Sequence, residues 1–195
     1  MRCYCCSSKS FDECCEPFIK GDKRPISAEQ LMRSRFAAYA TAHYQYVLNT
    51  YTKEKQRGLS VKDLAQGAEG ARWFALKVHS SSSDSTNTIS SATDSSIVNT
   101  ISAGAPFDTA HSTEIASTHR DKTNMAVVEF TAYYFENKSV FQLHETSSFI
   151  VEEGEWRYQD GVLHDDCGKI KYGRNLPCVC GSNKKFKQCC ALKQR

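Results

Sequence analysis

One cysteine spacing occurs twice, once at each end of the chain. Cys3-Tyr4-Cys5 is followed after eight residues by Cys14-Cys15, and Cys178-Val179-Cys180 after eight residues by Cys189-Cys190. Nine of the ten cysteines lie in the first 15 or the last 18 residues, with Cys167 the outlier. Disulfides placed there would not staple the long stretch between, and vicinal pairs such as Cys14-Cys15 are strained. Metal binding explains the spacing better. Zinc takes four soft ligands in a tetrahedron, two from a tight C-x-C turn and two from the returning segment. Gly181-Ser182-Asn183 supplies turn residues where the chain folds back. The expectation is two Zn²⁺ ions, one on Cys3, Cys5, Cys14 and Cys15, the other on Cys178, Cys180, Cys189 and Cys190. Iron in the same thiolate sets stays open at this point. A closed four-thiolate site leaves no position for substrate, so both read as structural. Cys6, beside the first site, reads as a spectator.

The formal net charge is +3. Two four-thiolate zinc sites would carry it to about −1, so overall charge says little about partners. Distribution says more. No acid follows Asp166, while Lys169, Lys171, Arg174, Lys184, Lys185, Lys187, Lys193 and Arg195 are basic, a local positive patch. No run approaches the roughly 18 apolar residues of a membrane helix, and the first residues have no apolar stretch of signal-peptide type. The expected compartment is the cytoplasm.

Residues 1–24 are too short for a core of their own and read as a first knuckle. Residues 25–165 read as an α+β domain. Ser27 is an N-cap with Gln30 three residues on, opening a helical stretch over 28–51 with apolar residues at helical spacing. A second helix is expected near 61–69. Trp73–Val78 reads as a strand. Of residues 80–119, nineteen are Ser or Thr and Phe107 is the only aromatic, which predicts a long mobile insertion. Strands follow at 125–135, 140–151 and 156–158, with a tight turn at Glu152–Glu155. Helices first and an antiparallel meander after indicate a curved sheet packed on helices. Residues 166–195 read as a linker and second knuckle. His164-Asp165-Asp166-Cys167 reads as acidic linker residues with an incidental thiol, rather than as a nucleophile or a third metal site.

Gly173-Arg174-Asn175-Leu176-Pro177-Cys178-Val179-Cys180-Gly181-Ser182-Asn183-Lys184-Lys185-Phe186-Lys187-Gln188-Cys189-Cys190 resembles the SEC-C motif. That motif closes the SecA translocation ATPase, where it binds zinc and contacts the chaperone SecB and ribosomes. The N-terminal copy keeps the ligand spacing, but Cys6 replaces the usual Gly and the lysine-rich loop is absent. The whole layout resembles the YchJ family, with a SEC-C knuckle at each end of a middle domain similar to nuclear transport factor 2 (NTF2), which implies a cone-like curved antiparallel sheet packed on helices. Leu31–Tyr39, Trp73–Leu76 and Glu155–Gly161 carry that likeness. The family's Trp-His-Pro after the first helix is here Tyr51-Thr52-Lys53, so no catalytic histidine is expected at that point.

The resemblance implies that zinc orders a basic recognition loop, Lys184, Lys185, Phe186 and Lys187, for a protein or ribosome. A single-stranded nucleic acid is an alternative partner, through stacking and phosphate contacts. A small-molecule site in the cone is the other alternative, with Arg33, Arg35, Trp73, His144, Trp156 and Tyr158 as candidate lining residues. No spacing assembles a catalytic constellation, and the expectation leans against an enzyme.

Overall fold

The computed structural model describes residues 1–83 and 125–194. The expected insertion lies outside the described residues, except that Ser80–Ser83 continue the first strand.

Five helices precede the sheet: α1 Glu16–Lys20, α2 Ala28–Ala40, α3 Tyr44–Asn49, α4 Lys53–Gln56 and α5 Val61–Gly67. Ser27 Oγ accepts the Gln30 amide, as the N-cap reading expects, while the Gln30 side chain accepts from Ile26 one residue further out. The stretch 28–51 is not one helix. It breaks after Ala40, where Ala42 takes φ +58° and the His43 amide turns back to the Ala38 carbonyl. The Thr41 hydroxyl also caps the Ala37 carbonyl, so the helix ends without a glycine or proline.

The strands are β1 Arg72–Ser83, β2 Met125–Glu136, β3 Ser139–Glu152, β4 Glu155–Leu163 and β5 Gly168–Ile170. All pairings are antiparallel, in the order β1-β2-β3-β4, with β5 on the opening residues of β3. The β3–β4 turn places Glu153 and Gly154 at positive φ, the tight hairpin the sequence indicates. β1 carries register shifts at Trp73/Ala75 and Val78/Ser80, and bulges of this kind bend a sheet.

β2 pairs with β3 without interruption, so alternation assigns its faces. Ala126, Val128, Phe130 and Ala132 pack with Leu31, Met32, Phe36 and Ala37 of α2, and Cys3, Cys5 and Cys15 belong to the same cluster. Phe135 points to the other face. There it joins Phe74, Cys178, Cys180, Phe186 and Cys190. The N-terminal knuckle is thus part of the helix-side core, and the C-terminal knuckle covers part of the opposite face. Among the described residues no helix is long and apolar enough to cross a membrane.

Candidate metal centres and central cavity

The repeat seen in the cysteines extends to the backbone around them. The Cys3 amide donates to Lys9 O at 2.9 Å, and the Cys178 amide to Lys184 O at 2.8 Å. Phe11 N bonds Met1 O in one copy, as Phe186 N bonds Leu176 O in the other. The bridges Arg2↔Ser10 and Pro177↔Lys185 match as well. Cys6 and Gly181 both sit at positive φ, 62° and 68°, as do Ser8 and Asn183. The N-terminal copy therefore holds the loop shape although a cysteine stands where the other has glycine.

In each copy the four sulfurs converge within 4.8 Å of one another. Sulfurs at about 2.3 Å from a tetrahedral zinc are about 3.8 Å apart. Cys5 and Cys14 are 3.6 Å apart, Cys14 and Cys15 3.8 Å, and Cys180 and Cys189 3.5 Å. Both clusters could hold a metal ion, and their size fits zinc. Serine hydroxyls at matching places reach the third sulfur: Ser7 to Cys14 at 3.1 Å and Ser182 to Cys189 at 3.2 Å. The Cys5 thiol is held far below its ordinary value because Cys15, then Cys3, donate to its sulfur. Burial opposes ionisation of Cys180, yet donation from Ser182 and the neighbouring thiols brings it down to about 7. One sulfur in each cluster is thus favoured as a thiolate, and a bound cation would displace thiol protons. Burial pushes the Cys6 thiol up to about 11, which fits a spectator.

Phe186 corrects an expectation. It is 4% exposed and packs on Phe74, Phe135 and Tyr172. Its ring anchors the knuckle to the sheet and is not offered to a partner. Burying such a ring favours docking by about 1.5–3 kcal/mol. Lys184, Lys185 and Lys187 are exposed around it, with Arg174 brought beside them through the Lys187 amide to Arg174 O bond.

The helix-side core borders a partly open cavity of about 290 Å³ between α2, α5, Tyr51 and the sheet. Of the six candidates, Arg35, Trp73 and Tyr158 line it; Arg33, His144 and Trp156 do not. Arg35 is 6% exposed, its guanidinium 4.4 Å from the ring centres of both Tyr51 and Tyr158. Its Nη1 donates to Val47 O and Thr50 Oγ1. Glu145, which the sequence reading missed, faces the same space and accepts from Ser147 Oγ at 2.5 Å and Tyr158 OH at 2.9 Å. Burial, and then Glu145, raise the Tyr158 phenol, so it stays a donor. The buried Trp73 Nε1 has no hydrogen-bond partner among the described residues.

Arg33 instead latches the first knuckle to α2. Its Nη1 donates to Cys5 O at 3.0 Å while its Nε pairs with Glu29. Trp156 sits further along β4 toward the hairpin and packs on the edge of the helix-side core. His144 falls on the opposite sheet face because it pairs with Thr131, not with an inward residue of β2. Its Nδ1 lies 2.8 Å from Asp166 and its Nε2 3.1 Å from Glu129. Burial alone would lower its pKa, but the two carboxylates outweigh that and leave it raised. The segment 164–167 is not a free linker. Cys167 Sγ exchanges hydrogen bonds with the His144 backbone, and β5 follows at once.

Comparison with known proteins agrees with this layout. The family profile described as "YchJ, middle NTF2-like domain" matches residues 27–93 and 86–161, and that of the SEC-C motif matches 174–192. A UPF0225 protein of Geobacter sulfurreducens is 30% identical over 190 residues, covering 96% of both chains. One from Shewanella sp. is 32% identical over 193 residues, covering 97% of this chain and 95% of its own. The solution structure of a SEC-C motif containing protein from Rhodopseudomonas palustris superposes with a TM-score of 0.61 at 24% identity, over 85% of this chain and all of that one. The crystal structure of another, from Psychrobacter arcticus, gives 0.57 at 23% identity, over 98% and 96% of the two chains.

Proposed function

The chain belongs to the YchJ family, with an NTF2-like middle domain and a SEC-C motif, and from that premise we propose that it is a cytoplasmic docking module ordered by two zinc ions. The eight knuckle cysteines are the ligands, four to each ion. The C-terminal ion fixes the loop that carries Lys184, Lys185 and Lys187, and the partner is an acidic surface on a protein or ribosome. One observation carries this reading. The three lysines and Arg174 are exposed, and none forms an ion pair among the described residues, while Phe186 fixes the loop from beneath. A loop held rigid before binding loses less entropy on binding. With Phe186 buried, single-strand nucleic acid has no stacking platform on this loop, which disfavours that alternative.

The test separates the metal from the charge. Cys178→Ser with Cys180→Ser is expected to remove one zinc equivalent of two and to abolish capture of the partner after nuclease treatment. Lys184→Glu with Lys185→Glu and Lys187→Glu is expected to keep both ions and still lose the partner. Capture unchanged by the charge reversal would sink the docking role.

A second reading rests on the cavity. A buried guanidinium clamped by tyrosines and a buried indole N–H without an acceptor suit a small, largely aromatic ligand that bears an acceptor group. Thermal-shift screening with aromatic carboxylates and their amides, on wild type and Arg35→Met, tests it. A shift that is equal in both proteins would count against it.

A further inference from the structure

Three histidines and two carboxylates used by neither the knuckles nor the cavity gather on the sheet face opposite the helices. His144 of β3 stacks on His164, with ring centres 3.8 Å apart and planes 7° from parallel. His79 of β1 lies 5.1 Å from His144. Register brings the group together: Thr131 pairs with His144, Glu129 pairs with Thr146, and the His164 amide bonds His144 O.

Each histidine has one nitrogen tied to an oxygen. His144 Nδ1 meets Asp166 Oδ1 at 2.8 Å, His164 Nε2 meets Thr146 Oγ1 at 2.8 Å, and His79 Nε2 meets Thr131 Oγ1 at 2.8 Å. Metal-binding histidines are commonly held this way: an outer oxygen fixes the tautomer and turns the other nitrogen to the ion. Here the other nitrogen of His144, Nε2, already lies against Glu129 Oε1. Glu129, His144 and His164 each offer a ligand atom, all within 4.8 Å of one another.

We propose that Glu129, His144 and His164 form a third metal site, chemically unlike the knuckles, for one divalent transition-metal ion. Imidazole and carboxylate donors together suit zinc, nickel, copper or cobalt, not the all-oxygen ions. The ion takes the place of the proton between His144 Nε2 and Glu129 Oε1. Stacked rings hold their lone pairs side by side, so His164, just past the end of β4, turns out of the stack to bring Nδ1 round. Asp166 is a positioning residue that holds the His144 ring, while Thr146 holds His164 in the stacked, metal-free arrangement. Three protein ligands leave coordination positions open to solvent, unlike a closed four-thiolate site.

The test uses the full chain with its knuckles loaded and loosely held metal removed, titrated with Ni²⁺. Calorimetry and elemental analysis should find one nickel bound per chain with the zinc count unchanged. His144→Ala and His164→Ala should each abolish that equivalent without changing the zinc. Asp166→Asn should weaken it about 10–100-fold, as loss of an outer-shell partner does. His43→Ala, on an exposed histidine at the start of α3, is the control and should bind as wild type does. Co²⁺ gives an independent reading: its third equivalent should add only weak visible bands, without the thiolate charge-transfer absorption of the knuckles. The proposal is overturned if no nickel equivalent appears. It is equally overturned if the equivalent survives both histidine variants with the fold intact by circular dichroism.

Discussion

Gly161 stands where a side chain would strike the cavity's carboxylate. A Cβ there would lie 2.1 Å from Glu145 Oε1 and 2.6 Å from the Tyr158 hydroxyl. Gly161→Ala must therefore push Glu145 aside and break its bond to Tyr158. A hydrogen bond to a charged group contributes about 1.5–3 kcal/mol, and denaturant unfolding should show a loss of that order. In a Glu145→Ala background the same change should cost less, because only the Tyr158 hydroxyl still stands in its way. At this scale the two cysteine clusters were legible, since the repeated spacing brings four sulfurs together at each end. The Phe186 ring was not, because its lysine neighbours disguise it; the matching Phe11 in the first copy was the available signal. Arg35 follows Leu31 and Met32 by four and three residues, a core-facing position that Arg33 does not share. Strand alternation likewise separated His144 from its neighbours Leu143 and Glu145, and could have removed it from the cavity set.

Two ion pairs tie α4 to the β3–β4 hairpin. Lys53 pairs with Glu153 of the β3–β4 turn, and Lys55 with Asp160 of β4 at 2.7 Å. The Thr52 amide adds a bond to Tyr158 O. Hydrogen bonds from Lys53 and Lys55 hold the Glu153 and Asp160 carboxyls below their ordinary values. For carboxyls lowered in this way, the contribution is fully present above the ordinary carboxyl pKa. It is lost as pH falls through the lowered values. Amide exchange over residues 52–57 should therefore be insensitive to pH-dependent opening between about 5 and 8 and should show loosening below about 4. High salt at neutral pH should loosen the segment in the same direction, since exposed pairs are screened. No opening on acidification would mean that the backbone bonds alone hold α4. The start of α2 was legible because Ser27 caps it; for α5 only the stretch 61–69 was expected, and the Ser60–Asp63 capping box that marks its start is seen in the structure. The break between α2 and α3 was not, because Thr41 ends the helix through a side-chain bond that propensity does not register.

Across the whole molecule the two knuckles are unequal and joined. Cys3, Cys5 and Cys15 are 3%, 0% and 1% exposed inside the helix-side core, whereas the second knuckle rests on the far face through Phe186. Arg2 Nη2 donates to Cys180 O at 3.2 Å, Cys6 packs into the second knuckle's cluster, and Lys193 lies 5.6 Å from the Tyr4 ring centre. The sequence displayed the same cysteine spacing twice; only the three-dimensional arrangement distinguishes a core component from a surface clip. Loss of a metal embedded in a core is among the most damaging single changes, so Cys5→Ser should lower stability by about 4 kcal/mol or more. Cys180→Ser should cost less and leave the sheet amides protected. If the knuckles were independent, the double variant would cost the two losses added, within about 0.5 kcal/mol. The Arg2 and Cys6 contacts predict a smaller combined loss, because whichever knuckle opens first already breaks the shared joint. Arg2→Ala, which cuts part of that joint beforehand, should move the pair back toward additivity. Strict additivity with Arg2 intact would mean that the two knuckles touch without communicating.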